Sequence, residues 1–312
     1  MLKASTFLVS FFERLFFKPN IFHWAFILLL TPLSFLYAKF MFFRRVLSVK
    51  KKYQIPIISV GNLTVGGSGK TPFVIALALR YENVTIISRG YGRKSRGLIE
   101  VSDKGKILTD VFNSGDEPML MATSLNKASV IVSENREVAI ELAIEKGSKI
   151  IILDDGFNRV NINKFEILLF PQIVKNYMPF PAGPFREFYF SKYFADLNLY
   201  ENSDFKRVVT LKNKTKKMFL VTAISNPERL NSFLPKDIVG KYLLEDHAYF
   251  DENILKEKML RLGATSLLVT QKDEVKMQSF QLPLSVMQLD LQIKNQILKK
   301  VDKYIGAYNY EK

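Results

Sequence analysis

Ile57-Ile58-Ser59-Val60-Gly61-Asn62-Leu63-Thr64-Val65-Gly66-Gly67-Ser68-Gly69-Lys70-Thr71-Pro72 is a β-branched run that enters a glycine-rich loop. It ends in Gly-Lys-Thr at the head of an apolar segment, residues 73–79, that reads as a helix. Strand, loop and helix in that order are the setting of a phosphate-binding P-loop. Glycines at 66, 67 and 69 let the backbone turn tightly and aim its N–H groups at phosphate oxygens, and the helix adds its positive dipole end. The cradle is read as residues Thr64, Val65, Gly66, Gly67, Ser68, Gly69, Lys70 and Thr71. Lys70 is expected to reach the β- and γ-phosphates of a bound nucleotide, and the Thr71 hydroxyl to ligate Mg²⁺. Thr64 stands where the usual pattern has its first glycine, so the first turn must tolerate a side chain. Pro72 falls within the first helical turn, where a missing N–H costs little.

Outward from this loop the pattern is α/β. Apolar runs at 55–60, 84–88, 128–132, 150–153 and 166–170 predict buried strands. Amphipathic segments at 72–80, 117–124 and 134–146 predict crossover helices. The alternation implies a mostly parallel sheet with ligands at the strands' C-terminal ends. Three stretches fall there. Arg89-Gly90-Tyr91-Gly92-Arg93-Lys94-Ser95-Arg96 is a basic, flexible loop that either clamps an anionic group or is merely solvated. Gly115-Asp116-Glu117-Pro118 opens a helix, and its carboxylates serve either as caps or as an acid/base and metal pair. Lys149-Ile150-Ile151-Ile152-Leu153-Asp154-Asp155-Gly156-Phe157 has the Walker B form, an apolar strand delivering Asp154 and Asp155 for Mg²⁺.

The first fifty residues differ in composition. Phe7, Leu8, Phe11, Phe12, Leu15, Phe16 and Phe17 form an apolar face, and residues 19–38 carry no charge, roughly 30 Å of helix. Pro32, His23 and the many aromatics favour a helix lying in or dipping into one leaflet over a span, and the charged, amphipathic start without a small-residue cleavage site argues against a cleaved signal peptide. Lys39, Arg44, Arg45, Lys50, Lys51 and Lys52 suit anionic head groups and place the rest of the chain in the cytoplasm.

After a proline-rich aromatic loop at 177–187, the polar, basic residues 206–217 read as a connection or hairpin, and a second α/β set comes next. Its strands are expected at 218–223, 238–243 and 266–270, with helices near 226–233, 252–262 and 294–305. The domain reading is therefore residues 1–52 as membrane-associated helices, 53–205 as a P-loop domain, 206–217 as a linker and 218–312 as a smaller α/β domain. Within the last lie His247, one of only two histidines, and Lys272-Asp273, read either as a base contact or as a surface ion pair. The net charge of +15 calls for an anionic partner, and 48% hydrophobic residues argue against disorder. The absence of cysteine excludes disulfides and thiolate metal sites and fits a reducing compartment.

Taken together, the stretches at 61–72, 88–93, 115–118, 154–157, 181–187 (Pro-Ala-Gly-Pro-Phe-Arg-Glu), Asp246-His247 and 270–273 resemble the tetraacyldisaccharide 4′-kinase family, inner-membrane enzymes of lipid A biosynthesis. Thr64 matches that family's form of the loop. The resemblance implies ATP- and Mg²⁺-dependent phosphorylation of the 4′-hydroxyl of a tetraacylated disaccharide 1-phosphate, with a nucleotide site between two α/β domains. It implies that the enzyme rests on the cytoplasmic leaflet of the inner membrane and has no nucleic-acid partner. By the same match Asp116 works with His247 near the reacting hydroxyl, and Glu117 assists the metal or that pair. Arg89, Tyr91, Arg136, Arg186 and Glu187 then line the active site. The family continues Asp-Asp-Gly-Phe with Gln-His, where this chain has Asn158-Arg159. Two other classes compete with this reading: a membrane-associated P-loop switch with Lys272-Asp273 reading guanine, and a nucleic-acid-stimulated ATPase. The long apolar N-terminus speaks against the second.

Overall fold

The computed structural model describes residues 11–66 and 69–310, the side chains of 309 and 310 excepted. Phe7 and Leu8 of the expected apolar face, and Gly67 and Ser68 of the loop, lie outside the described residues.

Residues 11–17 are helical. In chain order the next elements are α1 (Ile21–Val46), β1 (Ile57–Gly61), α2 (Lys70–Ala78), β2 (Val84–Ser88), β3 (Ile99–Asp103), β4 (Lys106–Ile107), α3 (Val111–Ser114), α4 (Asp116–Ser124), β5 (Ser129–Val132), α5 (Arg136–Glu145), β6 (Ile150–Asp154) and β7 (Phe165–Phe170). A 3₁₀ turn over Tyr189–Phe194 leads to β8 (Leu197–Tyr200), β9 (Phe205–Lys212) and β10 (Met218–Thr222), and a second over Pro227–Phe233 to β11 (Ile238–Leu243). The chain ends with α6 (Glu252–Arg261), β12 (Ser266–Thr270), α7 (Gln271–Glu274), β13 (Leu284–Ile293) and α8 (Asn295–Tyr310).

Two compact units emerge. One comprises Met1–Lys70, Asp155–Asp204 and Lys303–Lys312; the other comprises Thr71–Asp154 and Phe205–Asp302. Each compact body draws on separated parts of the chain.

In the first unit β1, β7 and β8 form a parallel ladder, with Val60 opposite Ile167 and Leu168 opposite Asn198. Five fully buried β-branched or small residues make up β1, as expected of a strand covered on both faces. Leu63, Phe157, Leu168, Phe170 and Phe185 close the core beside it, and the Tyr304 hydroxyl of α8 donates to the Ile57 carbonyl at 3.1 Å. Helix α1 starts with a capping box: the Asn20 side chain accepts from the His23 amide, and the His23 ring accepts from the Asn20 amide. It runs through Pro32 for 26 residues, about 39 Å. His23, Ile27, Ser34, Ala38 and Arg45 form its buried stripe, recurring every four or seven residues. Ile27 packs on Leu15, Phe16 and Ala182, and Ser34 accepts from the Ala182 amide at 2.8 Å. The opposite face, including Phe22, Leu28, Leu29 and Leu36, is exposed.

In the second unit β2 lies between β5 and β6, parallel to both, and the antiparallel hairpin β3–β4 extends beyond β5. A separate five-stranded sheet has the order β11-β10-β12-β13-β9, parallel except for β9 against β13. Phe219, Val221, Leu255, Leu267, Val269 and Met277 pack its core. Residues 205–212 thus form a strand where a connection is expected. The expected helix at 226–233 is a 3₁₀ turn with Pro227 near its start and no buried residue, so no apolar stripe stabilises a longer helix.

Candidate active site

The loop after β1 uses positive-φ glycines at Gly66 (89°) and Gly69 (79°), conformations that side chains resist. Thr64 is not among the positive-φ residues. Its backbone bridges Phe185 and accepts from the Asn62 side-chain amide at 2.8 Å, so this turn has no need of glycine there. Val65, expected in the phosphate cradle, donates its amide to the Pro184 carbonyl at 2.8 Å and packs against the Leu15–Phe16 cluster. Its part is to moor the loop. Lys70 opens α2, with Nζ 2.9 Å from Asn62 Oδ1 and 3.4 Å from Asp155 Oδ1.

Asp155 comes directly after β6 at φ +53°, a sparsely populated conformation for a residue with a side chain and one that gathers at functional sites. Arg186 Nη1 donates to both carboxylate oxygens at 3.0 and 3.3 Å. Burial opposes the charge of Asp155, but Lys70 and then Arg186 outweigh it and hold the carboxyl below the usual range. Glu187, expected in the substrate lining, is instead buried and gripped by Arg45, Nε to Oε2 at 2.8 Å and Nη2 to Oε1 at 2.7 Å. Both of its oxygens are committed to that pair.

In the second unit, Asp154 ends β6 with Ser88 Oγ donating to its carboxylate at 2.9 Å. Arg136, also expected in the lining, is 2% exposed at the start of α5 and donates to the Ser133 carbonyl and, at 3.5 Å, to that of Asp154. It braces the strand end from inside. Thr71 is buried in the first turn of α2.

A dense polar cluster surrounds Asp116, the first residue of α4 and 4% exposed. Gly115 before it has φ +89°, and a Cβ there would meet the Tyr91 carbonyl at 2.9 Å, so only glycine lets the Arg89–Arg96 loop come this close. His247, itself at φ +63°, presents Nδ1 2.9 Å from each Asp116 oxygen, while its Nε2 lies 3.5 Å from Asp246 Oδ2. Lys272 Nζ sits 3.1 Å from Glu117, 3.3 Å from Asp246 and 3.7 Å from Asp116, and Lys276 Nζ is 3.6 Å from Asp116. Burial pushes the Asp116 carboxyl up, but the His247 hydrogen bond and then Lys272 bring it below its ordinary value. The hydrogen bond to Asp116 raises His247 above 6.5, against burial and the repulsion of Lys272. Lys272 is itself raised, because Glu117, Asp116 and Asp246 together outweigh its desolvation.

Tyr91 is exposed, with its ring 5.2 Å from that of His247, and Arg89 is exposed as well. The Lys272-Asp273 pair does not behave as a guanine reader. Asp273 is wholly buried, taking the Thr222 and Thr270 hydroxyls at 2.6 and 2.8 Å and the Ala223 amide at 3.1 Å. Lys272 points to other carboxylates. Its place in the cluster, and that of Lys276, escaped the sequence reading; the one sequence signal was a second Lys four residues on, with Lys272 in α7 and Lys276 in the turn that follows it.

A glycine-rich loop and lysine at a helix start, a Walker-type strand end and a buried carboxylate–imidazole pair define the class of P-loop phosphotransferases. Relatives of known name narrow that class. A family model described as tetraacyldisaccharide-1-P 4′-kinase matches residues 26–207 and 191–306. The tetraacyldisaccharide 4′-kinase of Helicobacter acinonychis (strain Sheeba) is 50% identical over 302 residues, 96% of each chain. That of Aliarcobacter butzleri (strain RM4018) is 44% identical over 95% of this chain and 97% of its own. The crystal structure of LpxK from Aquifex aeolicus in complex with ATP superposes with a TM-score of 0.76 at 29% identity, covering 91% of this chain and 99% of that one. The chain belongs to the tetraacyldisaccharide 4′-kinase family.

Proposed function

We propose that this protein transfers the γ-phosphoryl group of ATP to the 4′-hydroxyl of a tetraacylated disaccharide 1-phosphate. The single observation that carries the mechanism is the buried Asp116–His247 pair, 2.9 Å apart and flanked by two lysines. Most of the work of phosphoryl transfer is positioning and charge neutralisation. Lys70 and the loop amides at Gly66 and Gly69 take the phosphates, with Arg186 beside them as a second cation. The acceptor oxygen bonds to the γ-phosphorus, the bond from that phosphorus to the β–γ bridging oxygen breaks, ADP leaves, and the hydroxyl proton passes to the Asp116–His247 pair. Arg89 and Tyr91, exposed on the loop that approaches His247, are assigned to the acceptor's sugar and phosphate groups.

The oxygen donors of Asp154 and Thr71 are hard ligands of the kind Mg²⁺ takes, and Ser88 fixes the Asp154 carboxylate. Asp154 and Thr71 would hold the ion. Asp155, engaged by Lys70 and Arg186 in this structure, joins that set only by releasing a cation to the phosphates. Bound Mg²⁺ supplies neutralisation of charge on the β- and γ-oxygens.

The outer face of α1 is assigned to the cytoplasmic leaflet of the inner membrane. Its opposite face is packed on the protein from His23 to Arg45, so the helix has one side to give to lipid, as an interfacial helix does. An acceptor whose acyl chains stay in the bilayer then offers its head group to a surface-bound enzyme. Lys39 and the 50–52 lysines suit anionic head groups; Arg45, committed to Glu187, is removed from that set. The test is flotation with anionic vesicles and then acceptor phosphorylation on the same vesicles. Flotation and labelled lipid are expected; a chain that stays in the aqueous fraction would count against the membrane assignment.

A further inference from the structure

We propose that Arg45, at the end of the apolar helix, is a positioning residue for the phosphate-binding group, an inference that rests on the kinase reading above. Arg45 is buried. Its guanidinium meets both Glu187 oxygens at 2.7 and 2.8 Å, the Phe157 carbonyl at 3.0 Å and the face of the Phe157 ring, whose centroid is 3.8 Å from the guanidinium carbon. Glu187 is the chain neighbour of Arg186, the residue that holds Asp155. Phe157 lies two residues after Asp155. One guanidinium therefore fixes both the segment carrying the Arg186 cation and the far end of the turn that carries the Asp155 carboxylate.

That turn needs fixing. At φ +53° Asp155 occupies a conformation that persists only when its surroundings over-determine it. The Asp155 amide, donating to the Val60 carbonyl at 2.9 Å, secures the near end; Arg45 secures the far end through Phe157. Asp155 in turn is the shared anion of Lys70 and Arg186. Without Arg45 the turn relaxes and the two cations lose their common anchor. A bidentate guanidinium can satisfy a carboxylate and a carbonyl at once in a fixed plane, which an ammonium cannot.

The test uses the full chain in lipid-containing micelles, with melting temperature, ATP dissociation constant, kcat and KM for the acceptor measured on each variant. The double variant Arg45→Met/Glu187→Met removes both buried charges together, which leaves no lone ion to unfold the protein. It is expected to melt near the parent, to bind ATP and turn over about tenfold or more weakly, and to keep its acceptor KM. Arg45→Lys keeps the charge and is expected to fall between the two in ATP affinity. A folded double variant with the parent's ATP affinity and kcat would overturn the proposal, as would a parent-like Arg45→Lys should the double variant not fold. If the parent itself phosphorylates no acceptor, the kinase reading fails, and the ATP-affinity arms still decide the role of Arg45.

Discussion

His247 Nδ1 lies 2.9 Å from both carboxylate oxygens of Asp116, although 131 residues separate them in the chain. The contact makes the two one titrating unit. Asp116 is held below its ordinary value and His247 above 6.5, so each group favours the charged form of the other. In the carboxylate–imidazolium form the pair must lose a proton before the imidazole can take the hydroxyl's. We expect kcat/KM to rise with pH along a limb whose midpoint lies above 6.5, and His247→Gln to abolish that limb; a pH–rate profile on vesicles checks both.

Lys272 lowers the His247 value by repulsion while stabilising the carboxylates around it. Lys272→Met therefore moves the acid limb to higher pH and lowers kcat at pH 7. An unmoved limb in a folded Lys272→Met protein would show that the lysine is remote from the titrating pair.

Stability responds to the same two shifts with opposite signs. The depressed carboxyl of Asp116 contributes stability above its unfolded value, near 3.8, that is lost as pH falls through the folded one. The raised His247 contributes stability that is complete below 6.5 and lost as pH rises through its folded value. Melting temperature should therefore fall across the range above 6.5, and His247→Gln should flatten that decline, as measured by scanning calorimetry from pH 5 to 9.

Lys70→Ala removes the cation at the helix start and leaves Asp155 with Arg186 alone. We expect ATP affinity to drop by about tenfold or more and turnover by orders of magnitude, with the fold kept. Calorimetric titration with ATP reads the first effect.

Replacing the exposed Leu28, Leu29 and Leu36 together by Ser strips apolar area from the outer face of α1. Each leucine that leaves the lipid costs about 1–2 kcal/mol of membrane affinity, so vesicle flotation should be lost while ATP binding is unchanged.

Much of this architecture was legible in the chain. The strands at 84–88 and 266–270 fall where β-branched apolar runs placed them, because strands buried on both faces read as continuous hydrophobic stretches; the edge strand at 238–243 also falls in place, with half-buried and exposed residues alternating along it. The antiparallel pair of β9 and β13 was not. Phe205–Lys212 is a half-exposed edge strand with Lys206, Arg207 and Lys212 along it, and that polarity mimics a linker. The family resemblance paired Asp116 with His247, and the two side chains meet at 2.9 Å, whereas residue spacing alone left each with a structural role. Glu187 and Arg136, expected in the lining, are buried: Glu187 is held by Arg45 from a distant stretch that no local pattern announces, and Arg136 by the Ser133 and Asp154 carbonyls. Thr64 looked like a departure from the loop pattern and is accommodated because the bridge to Phe185 needs no positive φ.

The central claim is that Asp116 and His247 take the proton of a lipid-borne sugar hydroxyl as ATP's terminal phosphate arrives. The most direct measurement is label transfer from γ-³²P-ATP to tetraacyldisaccharide 1-phosphate by the parent and by Asp116→Asn, each verified as folded and ATP-bound. The parent should label the 4′ position, and Asp116→Asn should do so at least roughly a hundredfold more slowly. Unlabelled lipid with the parent, or Asp116→Asn working at the parent's rate, would contradict the account.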